Sequence, residues 1–256
     1  MVRQRLNIPF VLSLVVLSLG WYFLSSKDII DSLFLPTPGQ MLGAVRTTVV
    51  SATYLTDVGA SMYRVIVAFG LSLVLAVPIA LLMSSYKFIN RLVSPYIDFI
   101  RYLPVPALIP LTILFFGIGE NAKIILLFIG TFFQLILLII DDLADVHQEY
   151  FDLSYTLKFS KIDTLVLKLR AILPQLYNNA RITLGWCWTY VIIAELVAAN
   201  AGIGHMIKEA QRFSNTPGVY IGVVTMGLIG FFTDSILKWL YPYFFKYQQK
   251  STEPRL

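Results

Sequence analysis

The chain has 256 residues, of which 57% are hydrophobic and only 14% charged, with a net charge of +5 and a mean hydropathy of +0.72. A soluble domain averages about 45–50% apolar and about 25% charged residues, so this charged fraction is too small to cover a water-facing surface. A bilayer removes that demand, because lipid tails face apolar side chains directly, and the length then fits one helical bundle over 1–256. The positive charge does not mark nucleic-acid binding: the bases lie in short loops between apolar runs, where they act as topology signals.

A helix needs about 20 mainly apolar residues to cross the hydrocarbon core. Six runs meet this expectation, at 8–24, 58–83, 96–116, 122–140, 180–199 and 219–241. The first follows Arg3 and Arg5 as a signal peptide would, but no small-x-small cleavage pattern follows Leu24, so it reads as a retained helix. The third is interrupted by Pro104, Pro106 and Pro110. Each proline removes a backbone donor, and irregular backbone at membrane depth survives only against protein or a water-filled cavity. This segment is therefore expected to face the bundle interior. None of the runs alternates with period two, which excludes an outer-membrane barrel.

Placing the N-terminus inside puts Arg3, Arg5, Lys87, Arg91, the bases from Lys158 to Arg181 and those from Lys238 to Arg255 in the cytoplasm. Lys27, Arg46, Lys123, Lys208 and Arg212 fall outside. Both termini are then cytoplasmic, and the longest cytoplasmic loop is 141–179. Its acids (Asp141, Asp142, Asp145, Glu149, Asp152) precede its bases (Lys158, Lys161, Lys168, Arg170). Leu153 and Leu157 share a helical face, and Leu165, Leu169 and Ile172 follow at helical spacing before Pro174. One or two short surface helices are expected here, either resting on lipid headgroups or docking a soluble partner. Beyond the fifth run, Gly202 and Gly204 break the chain, and Ile203, Met206, Ile207, Ala210 and Phe213 predict a short amphipathic extracytoplasmic helix within 200–218.

Ionisable residues within spans are costly and face the interior. Arg64, Asp98, Arg101, Glu195 and Asp234 are the candidates. Two readings stand: a polar pathway whose arginines attract an anion, or interhelical ion pairs such as an arginine with Glu195. Cys187 is the lone cysteine and reads as a buried small hydrophobe; no metal-ligand spacing is present. His147 and His205 fall on opposite sides of the membrane. There is no phosphate-binding glycine loop ending in Lys-Ser/Thr and no metalloprotease histidine pair. If transport uses ATP, another subunit must supply it. A secondary transporter or channel, and a membrane enzyme, are the weaker alternatives. The first would show broken helices in both halves; the second would need an acid/base pair or a metal cluster.

Several stretches together carry a resemblance. They are Leu-Pro-Thr-Pro-Gly at 35–39, Ser-Met-Tyr-Arg-Val-Ile-Val-Ala-Phe-Gly at 61–70, Arg-Tyr-Leu-Pro-Val-Pro-Ala-Leu-Ile-Pro-Leu at 101–111 with Phe-Gly-Ile-Gly at 116–119, and Ala-Glu-Leu at 194–196 with Gly-Ile-Gly at 202–204. Over nearly its full length the chain resembles the permeases of the nitrate/sulfonate/taurine/bicarbonate group of ABC importers. The resemblance implies an all-α, type I importer permease (MetI-like) fold in a bacterial inner membrane, and a translocation pathway drawn from Arg64, Arg101, Pro104, Pro106 and Glu195. It also implies a coupling helix in the 141–179 loop, with Tyr155, Leu157, Lys158, Phe159 and Pro174 as its docking residues. Lys158 stands where a glycine is usual, and the spacing from Leu157 to Pro174 is longer than the family pattern. The implied partners are ABC ATPase subunits, identical or different, that carry ATP and Mg, a second permease copy (a homodimer, with a heterodimer left open), and an extracytoplasmic solute-binding protein. This chain holds no cofactor of its own. The implied solute is a small oxyanion, although relatives carry heteroaromatic vitamin precursors and the binding protein often sets specificity.

Overall fold

The computed structural model describes residues 8–27 and 29–246. Arg3, Arg5 and Arg255, counted above as topology signals, lie outside them. The described residues form ten α-helices: α1 (Ile8–Ser26), α2 (Pro38–Val50), α3 (Ala52–Ser85), α4 (Lys87–Ile100), α5 (Ile109–Phe116), α6 (Glu120–Ala144), α7 (Gln148–Thr156), α8 (Lys161–Ala198), α9 (Ile203–Arg212) and α10 (Thr216–Phe244). A 3-10 turn, Val105–Leu108, joins α4 to α5.

Four helices, α3, α6, α8 and α10, are long and apolar enough to cross a membrane. The pair α4 and α5 would make a fifth span, but it bends by 96°. The apolar stretch Val11–Ser26 of α1 is shorter. Among the described residues the count is thus four, or five with the bent pair, beside the six runs expected. The 96–116 run is the end of α4, the turn and α5, because Pro104, Pro106 and Pro110 cannot continue one helical ladder.

Several helices also outrun their apolar segments. α3 starts at Ala52 and α8 at Lys161, because hydropathy marks only the lipid-facing part of a helix that caps and propensity can extend. At 1.5 Å per residue, α3 is about 50 Å long, well beyond a hydrocarbon core of about 30 Å. The second short helix expected before Pro174 is instead the first turns of α8, with Pro174 inside that helix and buried. The 35–39 stretch is a helix start: Pro38 occupies the first turn of α2, and the Thr37 side chain accepts from the Gln40 N–H while Gln40 accepts from the Thr37 N–H. Ser51 closes α2 and caps α3. The chain between α1 and α2 is held on α10, where Thr216 and Tyr220 donate to the Leu33 and Phe34 carbonyls.

α3 and α6 form the centre of the bundle. α3 buries Ser61, Ala68, Ser72, Ala76 and Ala80 along one face, and small residues let helix backbones approach where lipid supplies no hydrophobic drive. Against them α6 buries Leu126, Leu127, Leu135, Ile136 and Ile139, and the Ser72 and Thr131 hydroxyls meet at 2.7 Å. Cys187 is buried in this core with Trp188 and Val191 of α8. α9 forms where the amphipathic pattern placed it, but its apolar face turns inward: Ile203 and Ile207 are buried, while Phe213 is exposed. A Cβ on Gly222 of α10 would overlap Ile207 Cγ1, so α9 rests on bare backbone there.

At the α9 end of the bundle the charges interlock. Arg64 is 2% exposed and Glu195 0%. Arg64 Nη1 donates to Glu195 and to the Ala201 carbonyl, the latter at 2.8 Å. Its Nε and Nη2 grip the two oxygens of Glu120 at 2.6 and 2.7 Å. Lys123 Nζ also donates to Glu120, at 2.8 Å. Glu195 accepts further from the Ser61 hydroxyl at 2.8 Å and the Gly204 N–H at 2.8 Å. Ser61 in turn accepts from the Ile203 N–H, and Asp57 from the Gly202 N–H. Arg64 and Lys123 offset Glu120 and Glu195, Asp57 is met by a backbone amide instead, and α3, α6, α8 and the start of α9 are tied at one point. Gly202, at φ +126°, and Gly204 are required here: a Cβ on either would fall 2.5 to 2.6 Å from Glu195 atoms.

Removing one partner of a buried pair strands the other charge, at about 3–5 kcal/mol. Arg64→Met is therefore expected to lower the thermal midpoint of the detergent-purified protein sharply. Glu195→Gln, which leaves Arg64 paired with Glu120, should cost less, and Gly202→Ala should be severe through clash alone. Equal midpoints for Arg64→Met and the parent protein would refute the network's structural role.

Candidate functional site

The helix break builds a cavity. Arg101 follows the last residue of α4, Pro104 precedes the 3-10 turn, Pro106 lies inside that turn and Pro110 opens α5. Gly117, at φ +76°, ends α5 in a conformation other residues rarely adopt. The hollow between this bent segment, α6 and α8 has a volume of about 330 Å³, and its wall includes Arg101, Tyr102, Pro104, Pro106, Gln134 and Tyr190. In the wall, Tyr190 and Val105 pack directly on the bare backbone of Gly130. A Cβ at that position would lie 2.8 Å from the Tyr190 ring and 3.1 Å from Val105 Cγ2.

Arg101 is 37% exposed. Its Nη2 donates to the Tyr102 hydroxyl at 3.0 Å, and its guanidinium carbon stands 4.8 Å from the Tyr102 ring centroid. Asp98 is 3.7 Å away, beyond a good hydrogen bond. The cavity therefore offers a cation with loosely held charge beside the amide of Gln134 and the phenol of Tyr190, a set suited to an oxyanion.

Of the residues singled out as pathway candidates, the structure brings Arg101, Pro104 and Pro106 together. Arg64 and Glu195 are elsewhere, locked in the buried network, which is the ion-pair arrangement. Asp98 pairs loosely with Arg101, and Asp234 with Arg181 at 2.6 Å and Lys238 at 2.7 Å. Sequence reasoning missed Gln134 and Tyr190, although a lone amide within an apolar run was a visible signal. It also missed Glu120, which stands at the mouth of α6 rather than within a span.

At the opposite end from the ion network, α7 hangs between α6 and α8. It closes with paired backbone bonds: Phe159 N–H donates to Ser154 O at 2.9 Å and Lys158 N–H to Tyr155 O at 3.1 Å. This termination puts its penultimate residue in the left-handed region, and Lys158 sits there at φ +54°. A glycine would suit that position, which is where the sequence reading noted its absence. Ser160 and Asp163 then form the capping box that starts α8. Tyr155 is 88% exposed, and Leu157, Lys158 and Phe159 are exposed beside it. Pro174 is not part of this face; it is buried between Ile172 and Leu176 in the core. A second hollow, of about 480 Å³, opens at the α9 end beside Asp57, Asn200, His205 and Glu209.

Comparison with known proteins agrees with this architecture. Residues 68–246 match the family model described as the binding-protein-dependent transport system inner membrane component. A probable ABC transporter permease protein of Brucella melitensis is 31% identical over 221 residues, covering 86% of this chain and 88% of the relative. The taurine transport system permease protein TauC of Escherichia coli is 29% identical over 228 residues, covering 87% and 83%. Among solved structures, an inward-facing form of the MetNI methionine ABC transporter superposes with a TM-score of 0.58 at 22% identity, covering 72% of this chain and 94% of that one, a likeness of fold. The chain is a multi-pass transport component rather than an enzyme, and it belongs to the family of inner-membrane components of binding-protein-dependent transport systems.

Proposed function

We propose that this chain is the permease subunit of an ATP-driven importer for a small oxyanion, such as nitrate, bicarbonate or a sulfonate like taurine, and that it works by alternating access. The observation that carries this reading is α7 and its closing turn: a short helix ending in exposed Tyr155, followed by exposed Leu157 and Phe159, and tied at both ends to long apolar helices. An apolar surface exposed beyond the spans fits a groove on a soluble partner, and kinship with ABC permeases supports an ATPase as that partner. Binding and hydrolysis of ATP would move α7 and, through α6 and α8, the spans. The cavity at Arg101 would hold the anion in transit, with the second permease copy closing the pathway. The hollow beside Asp57 and Glu209 would face the solute-binding protein, and both termini would be cytoplasmic.

The test is co-purification followed by reconstitution with the recovered ATPase and binding protein. Uptake of a labelled sulfonate, nitrate or bicarbonate should require ATP on the α7 side. Uptake driven by an ion gradient without ATP would establish a secondary transporter instead. Within that assay, Arg101→Ala should reduce uptake at least tenfold with the complex intact, Arg101→Lys less, and Gly130→Leu should block the cavity. Normal uptake by well-expressed Arg101→Ala excludes the pathway role.

Leu157→Asp should release the ATPase from the permease on size exclusion. Lys158→Gly should not, and should gain about 1 kcal/mol by relieving the left-handed backbone. ATPase retention by Leu157→Asp would remove α7 as the docking element.

A further inference from the structure

Beneath α7 lies a pocket that the transport reading does not use. It has a volume of about 270 Å³ and is lined by Ser85 and Tyr86 at the end of α3, Phe151 of α7, and Lys161, Thr164, Leu165 and Lys168 of α8. Its two cations stand on one face of α8, and its lining contains no carboxylate. Lys168 Nζ donates to the Ser85 hydroxyl at 3.0 Å, the Ser84 carbonyl at 3.3 Å and, weakly, the Ser84 hydroxyl at 3.4 Å, and it lies 5.5 Å from the Phe151 ring centroid. All of these partners are neutral. Among the described residues, neither Lys161 nor Lys168 has a carboxylate oxygen within 4.0 Å. The Thr164 hydroxyl is already committed to the Ser160 carbonyl, while Ser85 accepts from Lys168 and keeps its own proton to donate.

We propose that this pocket binds a phosphate group, supplied by the headgroup of an acidic phospholipid. Two uncompensated ammonium groups and a free hydroxyl proton match a phosphodiester. The surroundings favour the lipid over a soluble phosphate. The site sits at the end of the apolar span α3 and the first turns of α8. Ile162 and Val166 on the same turns and, two residues past Tyr86, Phe88 expose apolar side chains at 71%, 42% and 77% that acyl chains could meet. Basic pockets between helices at a membrane surface recognise anionic headgroups by this combination. Because Phe151 and Lys168 both border the site, the bound headgroup would also fix the stance of α7 against α3.

The proposal rests on the membrane placement of α3 and α8, and its test needs neither ATPase nor solute, so it can fail while the importer reading stands. The full chain, purified in detergent, is mixed with phosphatidylglycerol or phosphatidylcholine and analysed by native mass spectrometry and thermal unfolding. Retention of one phosphatidylglycerol with a raised midpoint, and at least tenfold weaker retention by Lys161→Gln, supports the site. Lys161 makes no fold-holding bond, so that variant stays informative where Lys168→Gln destabilises. Equal retention of both lipids, or undiminished retention by Lys161→Gln and by the doubly substituted chain, overturns it. A midpoint raised equally by inorganic phosphate, which then displaces the lipid, assigns the pocket to a soluble anion and overturns the lipid assignment.

Discussion

The arrangement depends on an arginine that cannot be left alone. Arg64 is buried in the first half of α3, where an unpaired guanidinium would be strongly disfavoured, and its charge is met by Glu120 of α6 and Glu195 of α8. These contacts fix the rotation of three helices about their own axes at once. The small face of α3 then points at α6 by geometry, and the Ser72–Thr131 contact two turns away follows from the same rotation. The bidentate fork on Glu120 adds direction to the attraction, which a lysine could not supply. The glycines after α8 belong to the same unit. Gly202 and Gly204 let the chain pass within contact of Glu195, and the amides of residues 202 to 204 are spent on Asp57, Ser61 and Glu195.

The same accounting explains the helix break. Three prolines within seven residues leave carbonyls of the preceding turns without donors. In a bilayer that backbone must lie against protein or water, and here it lies against α6 and α8. The 330 Å³ cavity is the residue of that constraint: a bent segment cannot pack flush on straight helices, and at Gly130 Tyr190 and Val105 reach bare backbone in its wall. The hollow thus arises where a proline-bent backbone meets straight helices.

Much of this was legible beforehand. Continuous apolar runs located α3, α6, α8 and α10; the proline cluster located the break; Gly202 and Gly204 located the turn before α9. The choice of an arginine pairing with Glu195 was also visible, but its identity was not. Arg64 and Arg101 are equally plausible by hydropathy, and only the rotation of α3 decides. Glu120 was overlooked because its cost is invisible until Arg64 reaches it. α2 was missed because it is weakly apolar and buries none of its side chains, so no periodic core face betrayed it. Pro174 misled for a different reason. It reads as a stop, yet Ile172 and Leu176 on either side are buried, and packing carries α8 through the missing hydrogen bond.

α8 is consequently the element that joins every site. Its 38 residues carry the Ser160–Asp163 cap and Lys168 beside α7, Pro174 inside the core, Tyr190 at the cavity, and Glu195 in the ion network. The network end is held by charged bonds to two other helices, whereas the α7 end is held by hydroxyls, one carbonyl and an aromatic face. A displacement imposed on α7 therefore meets its least resistance along the first turns of α8, with Pro174 as the point where the ladder is already broken. Between that point and the network lies the cavity wall. In the proposed cycle the ion network serves as the fixed anchor and the cavity as the part that deforms, which is the mechanical order that coupling an external ATPase to a solute path requires.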